Sequence, residues 1–423
     1  MDYRIYPPEE ILDVRLSLPP SKSYMARKMV IDAIAGCPSG GDVCACDDIT
    51  VLARALELYR SGGAVSAAAV DLGGSGTALR FLTALFAATE GCDVVLDGNE
   101  SLRRRPMAIL VDALRQLGAQ IEYLQQEGFA PLAVRGRRLA GGSLPIDPTV
   151  SSQFVSALML VSPLLEAPLR IRLEGEAASM PYIRMTVGMM RRRGAVADIE
   201  RYDIDLAPGS YSAGDDYMPE LDWTAASYWY ETAALTAGWV TLPGFNASDL
   251  QGDRLLADIM PRLGVLSEFG TDDEGEEALC LSATPDLWGR LELDLSQNPD
   301  LTPALAVTAA ALSVPFRLSG LENLRVKECD RLEALRQELL KIGIVAEIDG
   351  PGVLLWEGQR APVVEIPEID THGDHRMAMA FAPLAVFAPG IVIRDAEVAD
   401  KSYPGFWDDL RQAGFTLESA AAD

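Results

Sequence analysis

An amphipathic helix that ends at a glycine, followed by a short apolar strand, recurs six times along the chain. Apolar residues in the helical parts return at three- and four-residue intervals, which is typical of helices with one buried face. Glycine ends such helices because it adopts the left-handed conformation at little cost. The six predicted stops lie roughly 55 to 80 residues apart, far above solenoid periods, at Gly63, Gly118, Gly194, Gly264, Gly343 and Gly414. The pattern predicts a duplicated architecture with three units in each of two lobes.

Runs rich in apolar residues between these helices predict strands. The predicted strands cover residues 93–97, 169–173, 239–242, 290–295, 353–356, 363–366 and 391–394. Strands that alternate with helices predict an α/β fold. An acidic, glycine-containing stretch over 208–220 is the predicted crossing between the two lobes.

Composition narrows the possible partners. The chain has 423 residues and a formal net charge of −26, which argues against nucleic acid and anionic membranes as partners. A local group of cations in such a protein can still bind a small anion. No apolar run is long enough to span a bilayer and no secretory signal stands at the N-terminus. We therefore expect a cytoplasmic protein whose six cysteines are free thiols.

The richest charged stretch, residues 323–331, leads into an amphipathic helix predicted over 332–342. Lys327 and Arg331 are four residues apart, which predicts that both cations lie on one helical face near the helix start. A helix N-terminus itself attracts anions. Glu328 stands between the two cations and is placed to move a proton. This stretch predicts a phosphate or carboxylate site.

Polar, basic or glycine residues also stand at several other predicted helix starts and turns. They are Lys22, Ser23, Arg27, Gly76, Arg105, Ser151, Ser152, Gln153, Ser179, Tyr182, Arg376 and Lys401. Each motif alone is also consistent with a capped surface helix or a tight turn. Together they predict one compound anion site between the lobes, able to hold two polyanionic substrates.

Two further motifs leave alternatives. Asp300 precedes an apolar helix over 302–312 and fits either its N-cap or a base toward a bound hydroxyl. His372 and His375 beside Asp374 suggest a metal, but Arg376 adjoins them and no further Cys/His cluster follows. No metal site is therefore predicted.

The set of motifs, in this order and spacing across essentially the whole chain, resembles the EPSP synthase (3-phosphoshikimate 1-carboxyvinyltransferase) family of enolpyruvyl transferases. The resemblance rests on 323–331, Ser21-Lys22-Ser23 with Arg27, Gly76-Thr77 with Arg80, Arg105-Pro106, 150–154, 374–379 and Lys401. It implies a two-lobed inside-out α/β barrel of six βαββαβ-type repeats. The implied C-terminal lobe comprises 1–19 and 221–423, the N-terminal lobe comprises 20–220, and the active site lies in the cleft between them.

The resemblance also implies the reaction. The enolpyruvyl group of phosphoenolpyruvate passes to the 5-hydroxyl of shikimate 3-phosphate, and phosphate leaves through a tetrahedral intermediate. This is a step of chorismate and aromatic amino acid biosynthesis that needs no metal or organic cofactor. The implied protein is a monomer that closes its lobes on its substrates.

The resemblance implies a role for each site residue. Asp300 takes the hydroxyl proton, Glu328 donates a proton to carbon, and Lys22 touches both substrates. Shikimate 3-phosphate is held by Lys22, Ser23, Arg27, Ser151, Ser152, Gln153, Ser179, Tyr182, Asp300, Asn323 and Lys327. Phosphoenolpyruvate is held by Lys22, Gly76, Arg105, Gln153, Arg331, Arg376 and Lys401. Arg325 and Asp330 are left as a structural ion pair, and Arg103 and Arg104 as a solvated face.

Two alternatives accompany this interpretation. A UDP-N-acetylglucosamine enolpyruvyl transferase would share the fold and the donor, but the motifs at 151–153 and 323–331 are of the shikimate type. A non-catalytic ligand-binding descendant is disfavoured because Asp300, Glu328 and Lys22 are all present. Ala26, Gly74, Phe81 and Cys329 depart from the usual family pattern, and none of them removes an assigned chemical group.

Overall fold

The computed structural model describes residues 1–38, 46–61, 68–147, 151–174, 179–213 and 218–420. The helices within these ranges are α1 (Lys22–Ile34), α2 (Asp47–Arg60), α3 (Gly76–Ala87), α4 (Glu100–Arg103), α5 (Ala108–Gln116), α6 (Ser152–Val161), α7 (Met180–Arg192), α8 (Trp223–Thr236), α9 (Leu256–Ile259), α10 (Thr302–Ala311), α11 (Arg331–Lys341), α12 (His375–Phe381) and α13 (Phe406–Gln412). The strands are β1 (Asp2–Tyr6), β2 (Asp13–Arg15), β3 (Ala68–Asp71), β4 (Asp93–Asp97), β5 (Gln120–Tyr123), β6 (Leu132–Arg135), β7 (Gly142–Ile146), β8 (Leu169–Leu173), β9 (Ala197–Glu200), β10 (Asp203–Leu206), β11 (Trp239–Pro243), β12 (Leu263–Thr271), β13 (Glu277–Leu287), β14 (Leu291–Asp294), β15 (Phe316–Ser319), β16 (Glu347–Ile348), β17 (Leu354–Trp356), β18 (Glu368–Ile369), β19 (Ile391–Ile393) and β20 (Thr416–Ala420).

The chain folds into two compact units. Unit 1 comprises Met1–Ser21 and Glu220–Asp423, and unit 2 comprises Lys22–Pro219. The boundaries therefore differ from the predicted lobe boundaries by two residues at the first crossing and by one at the second. Part of the crossing predicted over 208–220, residues 214–217, lies outside the described residues.

Five four-stranded sheets in the described ranges repeat one pattern. Unit 1 holds the sheets β18-β19-β1-β20, β12-β13-β11-β2 and β14-β15-β17-β16, and unit 2 holds β3-β4-β6-β5 and β7-β8-β10-β9. Each sheet contains one parallel pair and two antiparallel pairs. This confirms a mixed α/β fold built on a repeated unit. The inside-out arrangement of six repeats stays a prediction.

The N-terminal strand completes a sheet with the end of the chain. β1 pairs antiparallel with both β19 and β20, as the family resemblance implied. Its residue Ile5 pairs with both neighbours and is fully buried. Unit 1 is therefore closed by strands from both ends of the sequence.

Several helices are buried on all sides. In α10 every residue from 302 to 310 is buried, and in α8 every residue from 223 to 233 is buried. In unit 2 the same holds for 78–87 of α3 and 154–161 of α6. Helices that are apolar all round are expected inside a protein. The polar residues at their starts are thereby positioned by rigid, packed elements.

The predicted glycine stops mostly hold. Gly118, Gly194, Gly343 and Gly414 each follow a helix C-cap and have a positive φ angle. Gly264 also has a positive φ angle, but it lies within β12 and ends no α-helix. At Gly343 a Cβ atom would also lie 2.8 Å from the carbonyl oxygen of Ala361, so only glycine fits there without strain. The predicted first stop at Gly63, with the strand after it, lies outside the described residues.

Two predicted elements are wrong. The helix predicted over 255–264 is instead split into a 3-10 helix at Gly252–Leu255, the short α9, and a 3-10 helix at Met260–Arg262. Pro261 lies in the last piece, where it removes a backbone donor. The strand predicted over 363–366 is absent, because the prolines on either side of this segment lack the backbone N–H groups that a strand needs. Val364 in this segment is 89% exposed. None of the described helices has the length and apolar character required to cross a bilayer.

Candidate active site

In unit 2 the predicted ligand residues stand at the starts of four helices. Ser75 caps α3 by accepting a hydrogen bond from the Ala78 backbone N–H at 3.3 Å. Ser151 caps α6 in the same way, accepting from the Gln153 N–H at 3.3 Å. Ser179 precedes α7 with a left-handed backbone, φ 61°. Non-glycine residues held in this conformation cluster at ligand sites.

Arg27 of α1 is buried among neutral partners. Its Nε donates to Thr186 Oγ1 at 2.7 Å and its Nη2 donates to Ser156 Oγ at 3.0 Å. Its Nη1 donates to the Ser23 carbonyl oxygen at 2.7 Å. The side chain forms no ion pair with a carboxylate in the described ranges, and burial lowers its pKa to about 10. A buried cation without a counter-charge favours the approach of an anion.

Aromatic rings and amides complete this region. The Arg27 guanidinium carbon lies 5.7 Å from the ring centre of Tyr182, within reach of a cation–π contact. Gln153 Oε1 accepts from Arg80 Nη1 at 2.5 Å, and Gln153 Nε2 donates to Thr77 Oγ1 at 3.0 Å. The starts of α3 and α6 are therefore joined through side chains. Ser152 and Ser179 are buried beside these helix starts.

Gly76 and Arg105 lie against each other, as expected of neighbouring ligand residues. A Cβ atom on Gly76 would lie 2.4 Å from Arg105 Nη1, so any larger residue would displace the guanidinium. Pro106 precedes α5, which begins at Ala108 after Met107. Pro106 therefore fixes the chain before the helix instead of within it. Arg103 and Arg104 form exposed ion pairs with Asp97 and Glu100, which confirms their prediction as a solvated face.

In unit 1 the predicted residues gather into a second site, which we call the acid–base cluster. It consists of Asp300, Lys327, Glu328, Arg331, Asp374, Arg376 and Lys401. Asp300 Oδ1 lies 3.2 Å from Lys327 Nζ and 3.0 Å from Arg331 Nη1, and its Oδ2 lies 3.0 Å from Arg376 Nη2. Burial alone would raise the pKa of Asp300, but these three cations outweigh burial and hold the pKa well below its usual range.

Glu328 shares one of these cations. Its Oε2 accepts from Arg331 Nη2 at 3.0 Å, and its Oε1 lies 3.1 Å from Lys401 Nζ. Arg331, which is 1% exposed, also reaches Asp374 Oδ2 at 2.8 Å. One buried guanidinium thus bridges three carboxylates and fixes the separation of Asp300 and Glu328.

Two local expectations about this cluster are wrong. Lys327 and Arg331 do not share a helical face, because α11 begins at Arg331 and Lys327 follows a separate 3-10 helix at Glu322–Val326. Asp300 is not the N-cap of α10, since it lies inside a 3-10 helix at Pro299–Leu301 and its carboxylate is taken by cations. Asp330 caps α11 by accepting from the Glu333 N–H, and it lies 3.1 Å from Arg325. The predicted structural pair of Arg325 and Asp330 is confirmed.

The residues around Lys327 are partly buried, which changes their pKa values. Burial lowers the pKa of Lys327, whereas burial and the Asp374 charge raise the pKa of the Cys329 thiol to about 12. Cys329 therefore stays protonated near neutral pH. Asn323 lies in the 3-10 helix before Lys327, and its buried amide oxygen accepts no hydrogen bond from the described residues. A buried acceptor of this kind fits contact with a ligand hydroxyl.

Sequence reasoning missed several residues that hold the predicted ligand residues in place. Asp48 lies 2.9 Å from Lys22, Thr186 and Ser156 hold Arg27, and Asp374 receives both Arg331 and the Arg376 N–H. Thr186 follows Tyr182 by one helical turn, a spacing that places both on one face of α7. Asp374 precedes α12 as an N-cap, which the sequence could have indicated. The pairing of Asp48 with Lys22 has no local signal.

Comparison with known proteins identifies the family. The family model of EPSP synthase (3-phosphoshikimate 1-carboxyvinyltransferase) matches residues 8–410. This chain belongs to the EPSP synthase family. A 3-phosphoshikimate 1-carboxyvinyltransferase of Bacteroides fragilis is 41% identical over 424 residues, covering 99% of both chains. The Methanoculleus marisnigri enzyme of the same name is 34% identical over 425 residues, covering 95% of this chain and 97% of the relative.

A solved structure with low sequence identity to this chain has a similar fold. An EPSP synthase structure from Acinetobacter baumannii superposes with a TM-score of 0.76 at 23% identity, covering 99% of this chain and 100% of the other. This likeness supports the mixed α/β fold of an EPSP synthase family member.

Proposed function

We propose that this chain transfers the enolpyruvyl group of phosphoenolpyruvate to the 5-hydroxyl of shikimate 3-phosphate and releases phosphate. Membership of the EPSP synthase family supports this reaction. The observation that carries the proposal is the acid–base cluster, in which Arg331 holds Asp300 and Glu328 each at 3.0 Å. Because Arg331 holds both carboxylates close together, Asp300 and Glu328 can each exchange a proton with a different atom of the same bound substrates.

The reaction has two steps, addition and elimination, and two protons move in each step. In the addition step the hydroxyl oxygen bonds to C2 of phosphoenolpyruvate while C3 gains a proton. In the elimination step C3 loses a proton, the C2–O bond to phosphate breaks, the leaving phosphate takes up the proton that the hydroxyl released, and the double bond returns. We assign the hydroxyl proton to Asp300 and the C3 proton to Glu328, which donates in the addition and accepts in the elimination.

The strongly lowered pKa makes Asp300 a weak base while its three cations are bound to it. Both substrates carry phosphate and carboxylate groups that compete for Lys327, Arg331 and Arg376. As the cations turn toward these anions, the pKa of Asp300 rises toward the range that a general base needs. Substrate binding and proton transfer are thereby coupled through the same ion pairs.

Unit 2 offers the complementary chemistry. Arg27, held by hydroxyls and a carbonyl, has its positive charge left for a phosphate. We assign it, with Ser23, Ser151, Ser152, Ser179 and Tyr182, to shikimate 3-phosphate, and Gly76 with Arg105 to phosphoenolpyruvate. Holding two substrates in contact contributes roughly 7–11 kcal/mol through effective molarity. Both residue sets would serve one reaction, with Lys22 and Gln153 touching both substrates.

An assay of phosphate release tests the proposal. The purified chain is mixed with phosphoenolpyruvate and either shikimate 3-phosphate or UDP-N-acetylglucosamine. Release with shikimate 3-phosphate, and not with the nucleotide sugar, is expected. Release with the nucleotide sugar alone would point to the other enolpyruvyl transferase. Binding of shikimate 3-phosphate without any release would point to a non-catalytic descendant.

A further inference from the structure

Asp48 connects the first turn of α2 to the first residue of α1. Its Oδ2 lies 2.9 Å from Lys22 Nζ, and the two side chains are 8% and 15% exposed. Shielding of this degree separates the contact from an exposed ion pair, whose side chains stay mobile and whose energy is small. Breaking such a pair leaves a buried charge uncompensated.

Fixing the Lys22 ammonium group in one position costs conformational entropy. A lysine ammonium ends a flexible four-carbon stem and loses considerable rotamer entropy when it is fixed. Asp48 supplies a fixed point for that ammonium, because the carboxylate belongs to a helix that packs on α1. The neighbouring hydrogen bond from Arg27 to the Ser23 carbonyl fixes the backbone beside Lys22. Together these contacts define where the ammonium stands.

We propose that Asp48 is a positioning residue of the transferase reaction, acting through Lys22. The inference rests on the proposed function, in which Lys22 meets both substrates. Asp48 itself touches neither substrate in this proposal. It holds the ammonium in one place, so that the substrates meet a fixed cation. A displacement of about 1 Å in such a group can cost a factor of roughly 100 in rate.

The chain provides a matched control in the adjacent residue. Asp47 stands in the same first turn of α2, carries the same charge and is exposed. Both acids stand near the positive end of the helix dipole. Asp47→Asn and Asp48→Asn therefore remove the same charge from the same helix end, and Asp48→Asn also removes the shielded contact with Lys22.

The experiment is a double-mutant cycle with steady-state kinetics. Asp48→Asn is expected to lower kcat/KM by roughly 10- to 100-fold, whereas Asp47→Asn leaves it within about twofold of wild type. In the Lys22→Met background, Asp48→Asn is expected to cause no further loss, because its effect passes through the ammonium. Asp48→Glu keeps the charge and displaces it by one methylene, so kcat/KM should fall while the Tm stays near wild type.

The possible outcomes distinguish failure of the positioning role of Asp48 from failure of the proposed transferase function. Wild-type kinetics in both Asp48 variants would overturn the positioning role, and so would a full additional loss in the Lys22→Met background. Should Asp48→Asn fail to fold, an Asp48→Glu variant with wild-type Tm and wild-type kcat/KM would also overturn it. A wild-type chain that releases no phosphate would defeat the proposed function and this inference with it.

Discussion

The buried cations of the two units are compensated in opposite ways. Arg27 in unit 2 is held by hydroxyls, a carbonyl and aromatic faces. Arg331 in unit 1 bridges three carboxylates. A cation with neutral partners retains its charge for a ligand phosphate. A cation already bound to carboxylates can accept a ligand anion only by loosening those carboxylates, which changes their basicity. The first arrangement suits binding, and the second suits proton transfer.

The largest expected effect comes from removing the two carboxylates of the acid–base cluster. Asp300→Ala and Glu328→Gln are each expected to lower kcat by roughly 10²- to 10⁴-fold, the usual contribution of a general acid or base. Both variants should still bind shikimate 3-phosphate, since Arg27 and its partners are unchanged. Single-turnover kinetics and calorimetry on the same preparations would measure both quantities. Near-normal turnover in either variant would refute the role assigned to that residue.

The stability of the cluster gives a second test. Asp300→Asn leaves Lys327, Arg331 and Arg376 without their shared counter-charge, which is expected to cost about 3 kcal/mol. Because the folded-state pKa of Asp300 lies below its unfolded value, this contribution is present above the unfolded pKa and is lost as the pH falls through the folded pKa. The difference in Tm between wild type and variant should therefore be largest near neutral pH and shrink in acid.

A control for this measurement is the exposed pair of Asp408 and Arg411, whose Asp408 side chain is 83% exposed. Asp408→Asn should change the Tm very little at any pH. An Asp300→Asn difference that stayed constant from neutral to acid pH would contradict the depressed pKa. Inorganic phosphate should restore more of the lost Tm in Asp300→Asn than in Asp408→Asn, because it replaces the missing anion.

The sequence predicted which candidate residues lie at helix starts better than it predicted the residues that contact them. Ser151, Ser179 and Arg376 were placed at helix starts because capping and amphipathic periodicity are local signals. The hydroxyl partners of Arg27 and the carboxylate partner of Lys22 belong to other helices, so no local pattern contains them. Lys327 was assigned to a helix on spacing alone, yet the helix begins four residues later at Arg331.

The same division applies to the fold. The strands at Asp93–Asp97 and Leu169–Leu173 match their predicted bounds because each alternates between buried and partly or fully exposed residues. The segment 363–366 has an equally apolar composition, but its flanking prolines keep it from forming a strand. Composition thus identifies apolar segments. Whether such a segment pairs as a strand depends on the backbone N–H groups it can donate, which proline lacks.

Arg27 provides the binding side of the comparison. Arg27→Lys keeps the charge but loses the fork of donors that reaches Thr186, Ser156 and the Ser23 carbonyl. Hydrogen bonds to charged groups contribute about 1.5–3 kcal/mol, so the Kd for shikimate 3-phosphate should rise by roughly 10- to 100-fold. The exposed Arg170, paired with Asp205, is the control, and Arg170→Lys should leave the Kd unchanged. An unchanged Kd in Arg27→Lys would remove Arg27 from the phosphate site.

A second buried carboxyl group, Glu231, lies in the core of unit 1 and contrasts with Asp300. It is fully buried in α8, and neither of its oxygens has a hydrogen-bond partner among the described residues. Burial raises the pKa of Glu231 well above its usual value, so the folded chain keeps a proton that the unfolded chain releases above about pH 4.3. Stability is therefore lost as the pH rises from the unfolded pKa toward the folded one.

Glu231→Gln removes this linkage while keeping the size and shape of the side chain. Relative to wild type, the variant should gain up to about 1.4 kcal/mol per pH unit over the range in which wild-type Glu231 stays protonated. Thermal unfolding of both proteins between pH 5 and pH 9 would measure this gain, with the exposed Glu292→Gln as control. A Tm difference independent of pH would mean that Glu231 finds a counter-charge in the folded chain. Asp300 and Glu231 are both buried, but the pKa of Asp300 is lowered by three cations whereas the pKa of Glu231 is raised by burial. A counter-charge near Glu231 would remove this difference between the two carboxyl groups.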